Sequence, residues 1–135
     1  MKYLLTFLLI VFSLARGYSQ HGDTAIKDLS LEEFKHTMDS LKEEVIVDLR
    51  TPEELKDGKI PGAIVIDFFG PQFEPAIEAL DRDKVYLLYC ASGGRSGETS
   101  ELMQKLGFKK IYNMKGGFRE WTKRKMPVEK TVKGL

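Results

Sequence analysis

Apolar runs of strand length alternate along this chain with segments in which apolar residues recur at helical spacing. One continuous run, Val85–Tyr89, and a second at residues 45–47 have the composition of strands buried on both faces of a sheet. Shorter strands are predicted near Ile26 and over residues 63–66 and 110–113. Helices are predicted between the strands, where residues that share one face recur at helical spacing. These residues are Leu31, Phe34, Met38 and Leu41 in the first helix; Phe73, Ile77 and Leu80 in the second; and Thr99, Leu102, Met103 and Leu106 in the third.

Several predicted helix ends carry residues suited to capping. Ser30, with Glu33 three residues later, has the pattern of a capping box. Thr51 followed by Pro52 predicts a helix start, with the proline at the first helical position. Gly107 stands where helices commonly end in a left-handed cap.

Strands that alternate with helices at this spacing predict a single α/β domain. Its parallel sheet is expected to have about five strands, with helices covering both faces. Open parallel sheets bind ligands at the carboxyl ends of their strands. Cys90 follows one apolar run, and Asp48 and Arg50 follow the other, so all three are expected near that edge.

The first residues differ in kind from the rest of the chain, whose composition of 42% hydrophobic and 30% charged residues is ordinary for one globular domain. Lys2 precedes an uncharged apolar run at residues 3–14, and small residues follow it. The run is short for a membrane span, and the pattern is typical of a secretory signal peptide. We therefore predict a signal peptide over residues 1–19, cleaved before Gln20, and a domain over residues 20–135.

This interpretation places the mature protein in the periplasm or outside the cell. The alternative is an uncleaved amino-terminal segment, which would be the chain's contact with a membrane. Lys2 and Arg16 are the charged residues of the segment, so its removal takes the 21 basic residues to 19, against 20 acidic residues. That balance gives no reason to expect nucleic acid as a partner.

The single cysteine, Cys90, has no internal partner for a disulfide, so in an oxidising compartment it is expected to serve another purpose. His21 and His36 are distant from it in sequence, and no paired-ligand spacing occurs. Both histidines are predicted to lie on the surface. We predict no metal and no other cofactor.

The loop after Cys90 surrounds the thiol with groups that favour an anion. Gly93 and Gly94 let main-chain N–H groups turn toward a common point, and the next helix, predicted to start near Ser96, adds unpaired donors. With Arg95 nearby, the pKa of the thiol is expected to fall below its usual value. We therefore favour a nucleophile over a small buried hydrophobe, which would need neither glycines nor an arginine.

Two motifs in the second half of the chain resemble those of the rhodanese family of sulfurtransferases. The family's active-site loop, Cys-x-x-Gly-x-Arg, is met here as Cys90, Gly93 and Arg95. Residues 116–121, which open the last predicted helix, and residues 126–128, which end it, are similar to the family's carboxy-terminal signature.

Residues 45–63 resemble the amino-terminal signature of the same family. The resemblance implies that Asp48 and Arg50 are structural residues that hold the fold together near the site. Without it, a solvated ion pair would be the usual expectation for two charges at a strand end. Lys59 departs from the pattern, because the family usually has histidine there, and the change affects only local hydrogen bonding.

The resemblance implies a single rhodanese-like domain that transfers sulfur through a persulfide on Cys90. The thiolate would take a sulfane sulfur from a small anionic donor, such as thiosulfate or polysulfide, and pass it to a thiol or to cyanide. The loop that would bind the donor and the persulfide consists of Ala91, Ser92, Gly93, Gly94, Arg95 and Ser96. Ala91 and Ser92 are neutral where thiosulfate-preferring relatives often carry basic residues, so thiosulfate is expected to be a poor substrate.

Two other functional classes stay open. Phosphatases and arsenate reductases of similar fold bind oxyanions in a longer loop between cysteine and arginine, whereas only residues 91–94 separate Cys90 from Arg95 here. The tighter ring suits a sulfur atom better than a phosphate. A non-catalytic binding module is the other class, and Cys90 counts against it. A persulfide carrier that serves another protein would use the same residues as the sulfurtransferase.

Overall fold

The computed structural model describes residues 24–131. Their strands form one parallel sheet of five strands. The strands are β1 (Ala25–Leu29), β2 (Glu44–Asp48), β3 (Ile64–Val65), β4 (Val85–Tyr89) and β5 (Lys110–Met114). Their order across the sheet is β1-β5-β4-β2-β3. The predicted parallel sheet of about five strands is confirmed.

Helices connect the strands and cover both faces of the sheet, as predicted. Leu31 of the first helix and Trp121 of the last belong to one core cluster, whereas Ile77 and Met103 of the middle two belong to another. The helices of residues 24–131 are α1 (Leu31–Ser40), α2 (Phe73–Glu78), α3 (Gly94–Lys105) and α4 (Gly117–Lys123), with a 3-10 turn at Glu54–Asp57.

Strand β4 separates the two core clusters because its side chains alternate between the faces of the sheet. Leu87 and Tyr89 pack with residues of α1 and α4, whereas Tyr86 and Leu88 pack with residues of α2 and α3. Cys90 continues the second set and is 1% exposed. The thiol therefore lies on the α3 side of the sheet, at the carboxyl end of β4.

The capping residues predicted for α1 and for the end of α3 are confirmed. The Ser30 hydroxyl accepts a hydrogen bond of 3.2 Å from the Glu33 N–H, and the Glu33 carboxylate accepts one of 2.9 Å from the Ser30 N–H. Gly107, just beyond α3, has a φ of +87°. Both caps depend on neighbours in the sequence, which is why the sequence predicts them.

The predicted start of α3 near Ser96 was wrong, because the helix begins at Gly94. Gly93, with a φ of +99°, turns the chain into the helix, and its carbonyl accepts a hydrogen bond of 3.0 Å from the Gly97 N–H. This first turn carries no apolar side chain. Apolar periodicity therefore could not locate it.

The helix predicted to start at Thr51 is only the 3-10 turn Glu54–Asp57. Thr51 still acts as a cap, since its hydroxyl accepts a hydrogen bond of 3.4 Å from the Glu54 N–H. Gly58, whose φ is +97°, ends the turn. The Arg50 guanidinium donates to the main-chain carbonyls of Glu54 at 3.1 Å and Gly58 at 2.7 Å and so holds this short turn in place.

Three other elements are shorter than predicted. β3 is limited to Ile64–Val65, α2 ends before Leu80, and α4 ends before Met126. Leu80 and Met126 nevertheless pack against the core clusters from outside their helices. Periodicity thus identified Leu80 as a side chain that packs against the core, but it did not locate the last helical residue.

The predicted signal peptide at residues 1–19 lies outside the described residues, as does His21. His36 is exposed on α1. Within residues 24–131, no helix is long and apolar enough to cross a membrane.

Candidate active site

The carboxyl ends of β2 and β4 lie side by side. Asp48, the last residue of β2, is in register with Tyr89, the last residue of β4. The Leu49 N–H donates a hydrogen bond of 3.0 Å to the Tyr89 carbonyl. The chain leaves β2 for the edge strand β3 and then returns to β4 on the other side of β2, so the strand order reverses here. Open parallel sheets bind ligands at such a point, and Cys90 follows directly.

The Cys90 sulfur accepts hydrogen bonds from the loop that follows it. The Gly93 N–H lies 3.1 Å from Sγ, and the Ser96 hydroxyl lies 3.4 Å from it. Burial acts to raise the pKa of the thiol, but the hydroxyl and N–H of Ser96 and the N–H groups of Ser92 and Gly93 outweigh it and lower the pKa. The loop therefore stabilises a thiolate, which is the nucleophilic form of cysteine.

Helix α4 orients the first peptides of this loop. The Phe118 N–H donates to the Cys90 carbonyl at 2.8 Å, and the Arg119 N–H donates to the Ala91 carbonyl at 3.0 Å. The carbonyl and the N–H of a trans peptide point in opposite directions. Because the Ala91 carbonyl points toward α4, the Ser92 N–H of the same peptide is directed toward the sulfur.

Glycines allow the loops after β4 and β5 to fit against each other. A Cβ atom on Gly93 would lie 2.3 Å from the Lys115 carbonyl oxygen, and one on Gly117 would lie 2.5 Å from the Ala91 carbonyl oxygen. Both glycines also have positive φ, +99° and +59°. Any larger residue at either position would push the two loops apart.

Arg95 is paired with a carboxylate and is not the free cation that the sequence suggested. Its Nη1 and Nη2 atoms lie 2.8 and 2.6 Å from the two carboxylate oxygens of Glu54. The hydrogen bond from Arg95 lowers the pKa of Glu54 to about 2. Glu54 in turn raises the pKa of Arg95, with a smaller contribution from Cys90, so the guanidinium lies within electrostatic reach of the sulfur.

Sequence analysis did not identify Glu54 as a site residue. The one feature of the sequence that points to Glu54 is its position three residues after Thr51, where a glutamate side chain can accept a hydrogen bond from the N–H of the capping residue. Its Oε2 atom does accept hydrogen bonds from the Thr51 N–H at 2.9 Å and the Thr51 hydroxyl at 3.0 Å. Nothing in the sequence links it with Arg95, 41 residues away. Only the adjacency of β2 and β4 brings the two side chains together.

Asp48 and Arg50 form a buried ion pair. Arg50 Nη2 lies 2.7 Å from Asp48 Oδ2, and Arg50 Nε lies 2.9 Å from Asp48 Oδ1. The Tyr89 hydroxyl donates to Asp48 Oδ2 at 2.5 Å and accepts from the Ile60 N–H at 3.0 Å. Burial, followed by the Asp48 charge, raises the pKa of Tyr89, so its hydroxyl remains a donor. This placement is consistent with the structural role that the resemblance implies.

Arg50 also connects the ion pair with the two segments that shape the loop. It binds the Glu54 carbonyl, as described above, and thereby fixes the segment that presents the Glu54 carboxylate. The centre of its guanidinium lies 3.7 Å from the ring centroid of Phe118, whose N–H binds the Cys90 carbonyl. The buried pair therefore supports both the partner of Arg95 and the amino end of α4.

The other loop residues face solvent or lie at its boundary. Ala91 is half-buried, whereas Ser92 and Gly94 are exposed. A Cβ atom on Gly94 would meet nothing within 4 Å. Among residues 24–131, no group of three or more His, Cys, Asp or Glu side chains could hold a metal ion.

Lys59, the departure from the family pattern, makes local contacts. Its Nζ atom donates to the Ala63 carbonyl at 2.6 Å and lies 3.3 Å from the Glu129 carboxylate. The main chains of Lys59 and Glu129 also form an isolated antiparallel bridge. The main-chain bridge joins the segment before β3 to the carboxy-terminal segment, and the Lys59 side chain adds an ion pair to it.

Comparison with known sequences identifies a family. The profile of the Rhodanese-like domain matches residues 30–124. "Putative sulfur carrier protein YrkF" of Bacillus subtilis is 37% identical over 105 residues, which cover 78% of this chain and 56% of YrkF. This chain therefore spans little more than half the length of that relative. A sulfurtransferase of Allochromatium vinosum is 26% identical over 103 residues, which cover 76% of this chain and 94% of that protein.

Solved structures share the fold. A rhodanese-related protein from Thermoplasma volcanium superposes with a TM-score of 0.67 at 26% identity, covering 78% of this chain and 99% of that one. A Rhodopseudomonas palustris protein described as a "Possible Tyrosine Phosphatase" gives a TM-score of 0.61 at 31% identity, covering 77% and 85% of the two chains. Since the profile covers most of the chain, this chain belongs to the rhodanese-like domain family.

Proposed function

We propose that this protein is a sulfurtransferase that carries sulfane sulfur as a persulfide on Cys90. The observation that carries the proposal is the position of the sulfur, which accepts hydrogen bonds from the Gly93 N–H and the Ser96 hydroxyl at the carboxyl end of β4. Those donors favour the thiolate and would equally stabilise a persulfide anion. The names of YrkF, a sulfur carrier, and of the Allochromatium sulfurtransferase add support.

The proposed reaction has two displacement steps. The Cys90 thiolate attacks the outer sulfur of a donor such as thiosulfate, so that an Sγ–S bond forms while the donor's S–S bond breaks. Sulfite leaves with the electron pair of the broken bond. An acceptor, either a thiol or cyanide, then attacks the outer sulfur of the persulfide, and the Cys90 thiolate is released. Both steps transfer a neutral sulfur atom, so no further oxidant or base is required.

The burial of Cys90 constrains the donor. Only 1% of the residue is exposed, so a donor reaches Sγ with a single protruding sulfur atom and not with its whole body. Sulfane sulfur at the end of thiosulfate, a polysulfide or an alkyl persulfide has this shape. A branched electrophile does not, because its substituents shield the reacting atom.

Intact-mass spectrometry of the purified protein tests the proposal. Incubation with thiosulfate or polysulfide should add one sulfur atom, and cyanide should remove it. Cys90→Ser should show no adduct, because its hydroxyl is nearly isosteric but hardly ionised at neutral pH. An unmodified wild-type mass after both donors would contradict sulfur transfer and favour a binding module.

A phosphatase activity is the second candidate, favoured by the similarity to the Rhodopseudomonas protein. The four residues 91–94 between Cys90 and Arg95 weigh against it, because the ring is tight for a tetrahedral phosphate. An aryl phosphate should therefore be hydrolysed negligibly by the same protein preparation. Hydrolysis as fast as sulfur transfer would reverse the order of the two candidates.

We also propose that the protein is exported, on the strength of the amino-terminal pattern at residues 1–19. Sequencing the amino terminus of protein from the cell envelope or medium should find Gln20 or a close neighbour. An intact Met1 on membrane-bound protein would indicate the anchored alternative. An intact Met1 in the cytoplasm would contradict export.

A further inference from the structure

Resting on the sulfur transfer proposed above, we infer that Glu54 determines which sulfur donors this protein accepts. By neutralising Arg95, its carboxylate leaves the loop without net positive charge. The site then disfavours a dianion such as thiosulfate and favours donors with at most one negative charge, such as the persulfide of an uncharged alkyl thiol. Glu54 is thus a specificity-determining residue and not part of the chemistry.

The contacts hold Glu54 in the neutralising position. Both carboxylate oxygens bind the Arg95 guanidinium, at 2.6 and 2.8 Å. One of them also accepts from the Thr51 N–H and hydroxyl, at 2.9 and 3.0 Å. The Glu54 main-chain carbonyl binds Arg50 at 3.1 Å. With both ends of the residue bound, an arriving anion would have to break several hydrogen bonds to displace the carboxylate.

An aromatic ring covers another part of the Arg95 guanidinium. The guanidinium carbon of Arg95 lies 5.5 Å from the ring centroid of Phe69, and Phe69 is 70% exposed. An approaching sulfur donor therefore finds one side of the Arg95 guanidinium bound by a carboxylate and another side bordered by an apolar surface. That surface suits an alkyl substituent better than a sulfonate group.

The remaining loop residues add no charge. The hydrogen bonds that most lower the pKa of Cys90 come from neutral N–H groups and one hydroxyl. Arg95, which also interacts with the sulfur, is the one charged residue between Cys90 and Ser96. Lys115 and Arg119 contact the loop through their main chains, but both are exposed, so solvent screens their charges. Once Arg95 is neutralised, the thiolate leaves the loop itself net negative. A dianion is then repelled about twice as strongly as a monoanion, because Coulomb energy scales with charge.

Both donors complete the same balanced step. Thiosulfate gives the Cys90 persulfide and sulfite, as written above. An alkyl persulfide also gives its outer sulfur to the thiolate: the Sγ–S bond forms, the alkyl persulfide S–S bond breaks, and the alkyl thiolate leaves with the electron pair. Only the charge of the donor and of the leaving group differs between the two.

Charge-selective kinetics test the inference with Glu54→Gln and a matched control, Glu53→Gln. Both substitutions remove one negative charge, but Glu53 is exposed and pairs with Lys56. The quantity to compare is the ratio of kcat/KM for thiosulfate to kcat/KM for the persulfide of 2-mercaptoethanol. Glu54→Gln should raise this ratio about tenfold, the size of effect expected from one uncovered charge near the protein surface. Glu53→Gln should leave it at the wild-type value.

One further variant and one further measurement distinguish an effect of the Glu54 charge from an effect of Glu54 on the loop's conformation. Glu54→Asp keeps the charge but shortens the side chain, so its ratio should stay near wild type. If Glu54 acted only by supporting the loop, Glu54→Asp would change the kcat/KM ratio as Glu54→Gln does. The pH dependence of Cys90 alkylation by uncharged iodoacetamide should show a lower thiol pKa in Glu54→Gln, because Arg95 is uncovered. A loosened loop would raise that pKa instead.

Wild-type protein provides a test that requires no variant. Its kcat/KM for thiosulfate should rise or stay level as ionic strength increases, since screening weakens the repulsion. A steep fall would reveal a net positive site and overturn the inference, as would an unchanged donor ratio in Glu54→Gln. Neither result would affect the proposed sulfur transfer, which fails only if wild-type Cys90 accepts sulfur from neither donor.

Discussion

The Cys90 carbonyl accepts a hydrogen bond of 2.8 Å from the Phe118 N–H, which joins the loop after β4 to the first turn of α4. Through this bond and its neighbour at Ala91, a helix near the carboxyl terminus fixes the peptides that direct N–H groups at the sulfur. The carboxy-terminal segment is therefore part of the site, although none of its side chains has been placed in the chemistry.

Gly117→Ala should disrupt this joint. A Cβ atom there would lie 2.5 Å from the Ala91 carbonyl oxygen, so the loop must move away from α4. We expect sulfur loading of Cys90 to slow on the order of 100-fold, since misplacing catalytic groups by about 1 Å has such effects. Gly62→Ala is the control, because Gly62 also has positive φ, +79°, but open space around it. Equal loading rates in the two variants would show that α4 does not position the loop.

Ser96→Ala should make the thiol less acidic. The Ser96 hydroxyl lies 3.4 Å from the Cys90 sulfur and helps to lower the pKa of the thiol. Its loss should raise that pKa and slow alkylation by iodoacetamide at neutral pH by about tenfold, the lower end of the effect of one hydrogen bond to a charged group. Ser92→Ala is the control, because Ser92 contributes its N–H and not its hydroxyl. If both variants titrated alike, the hydroxyl would have no part in stabilising the thiolate.

Local patterns in the sequence predicted most of the sheet, and the cysteine loop was predicted from the residues that follow a buried strand. A strand or a cap such as Ser30 with Glu33 depends on residues close in sequence. The partner of Arg95 does not, since Glu54 reaches it only because β2 and β4 are adjacent. The role of α4 was equally hidden, because main-chain hydrogen bonds from Phe118 leave no side-chain signal.

Asp48→Ala should destabilise the fold strongly. It would leave the Arg50 guanidinium buried without its carboxylate and the Tyr89 hydroxyl without its acceptor. We expect the free energy of unfolding to fall by about 3–5 kcal/mol, as for other broken buried pairs. Asp83→Ala removes the partner of Lys109 in an exposed pair and should cost less than about 1 kcal/mol. Urea denaturation measures both, and similar losses would mean that the buried pair is not a structural support.

The Glu54–Arg95 pair should contribute to stability in a defined pH window. The pKa of Glu54 is lowered from 4.5 to about 2, so the pair stabilises the folded state above pH 4.5 and loses that contribution as pH falls toward 2. Glu54→Gln lacks this contribution at every pH. The difference in unfolding free energy between wild type and Glu54→Gln should therefore be largest near neutral pH and shrink toward pH 2. A difference that stayed constant over this range would show that the carboxylate is not stabilised by Arg95.

Loop length should decide between sulfur and phosphate chemistry. Inserting one glycine after Gly94 lengthens the ring between Cys90 and Arg95 but leaves the tight contact of Gly93 with the Lys115 carbonyl in place. If ring size is the determinant, the insertion should reduce sulfur loading and bring hydrolysis of an aryl phosphate above background. A glycine inserted after Asp83, in the polar turn before β4, is the control for chain length and should change neither activity. Loss of sulfur loading without any gain in phosphate hydrolysis would show that more than the ring size separates the two chemistries.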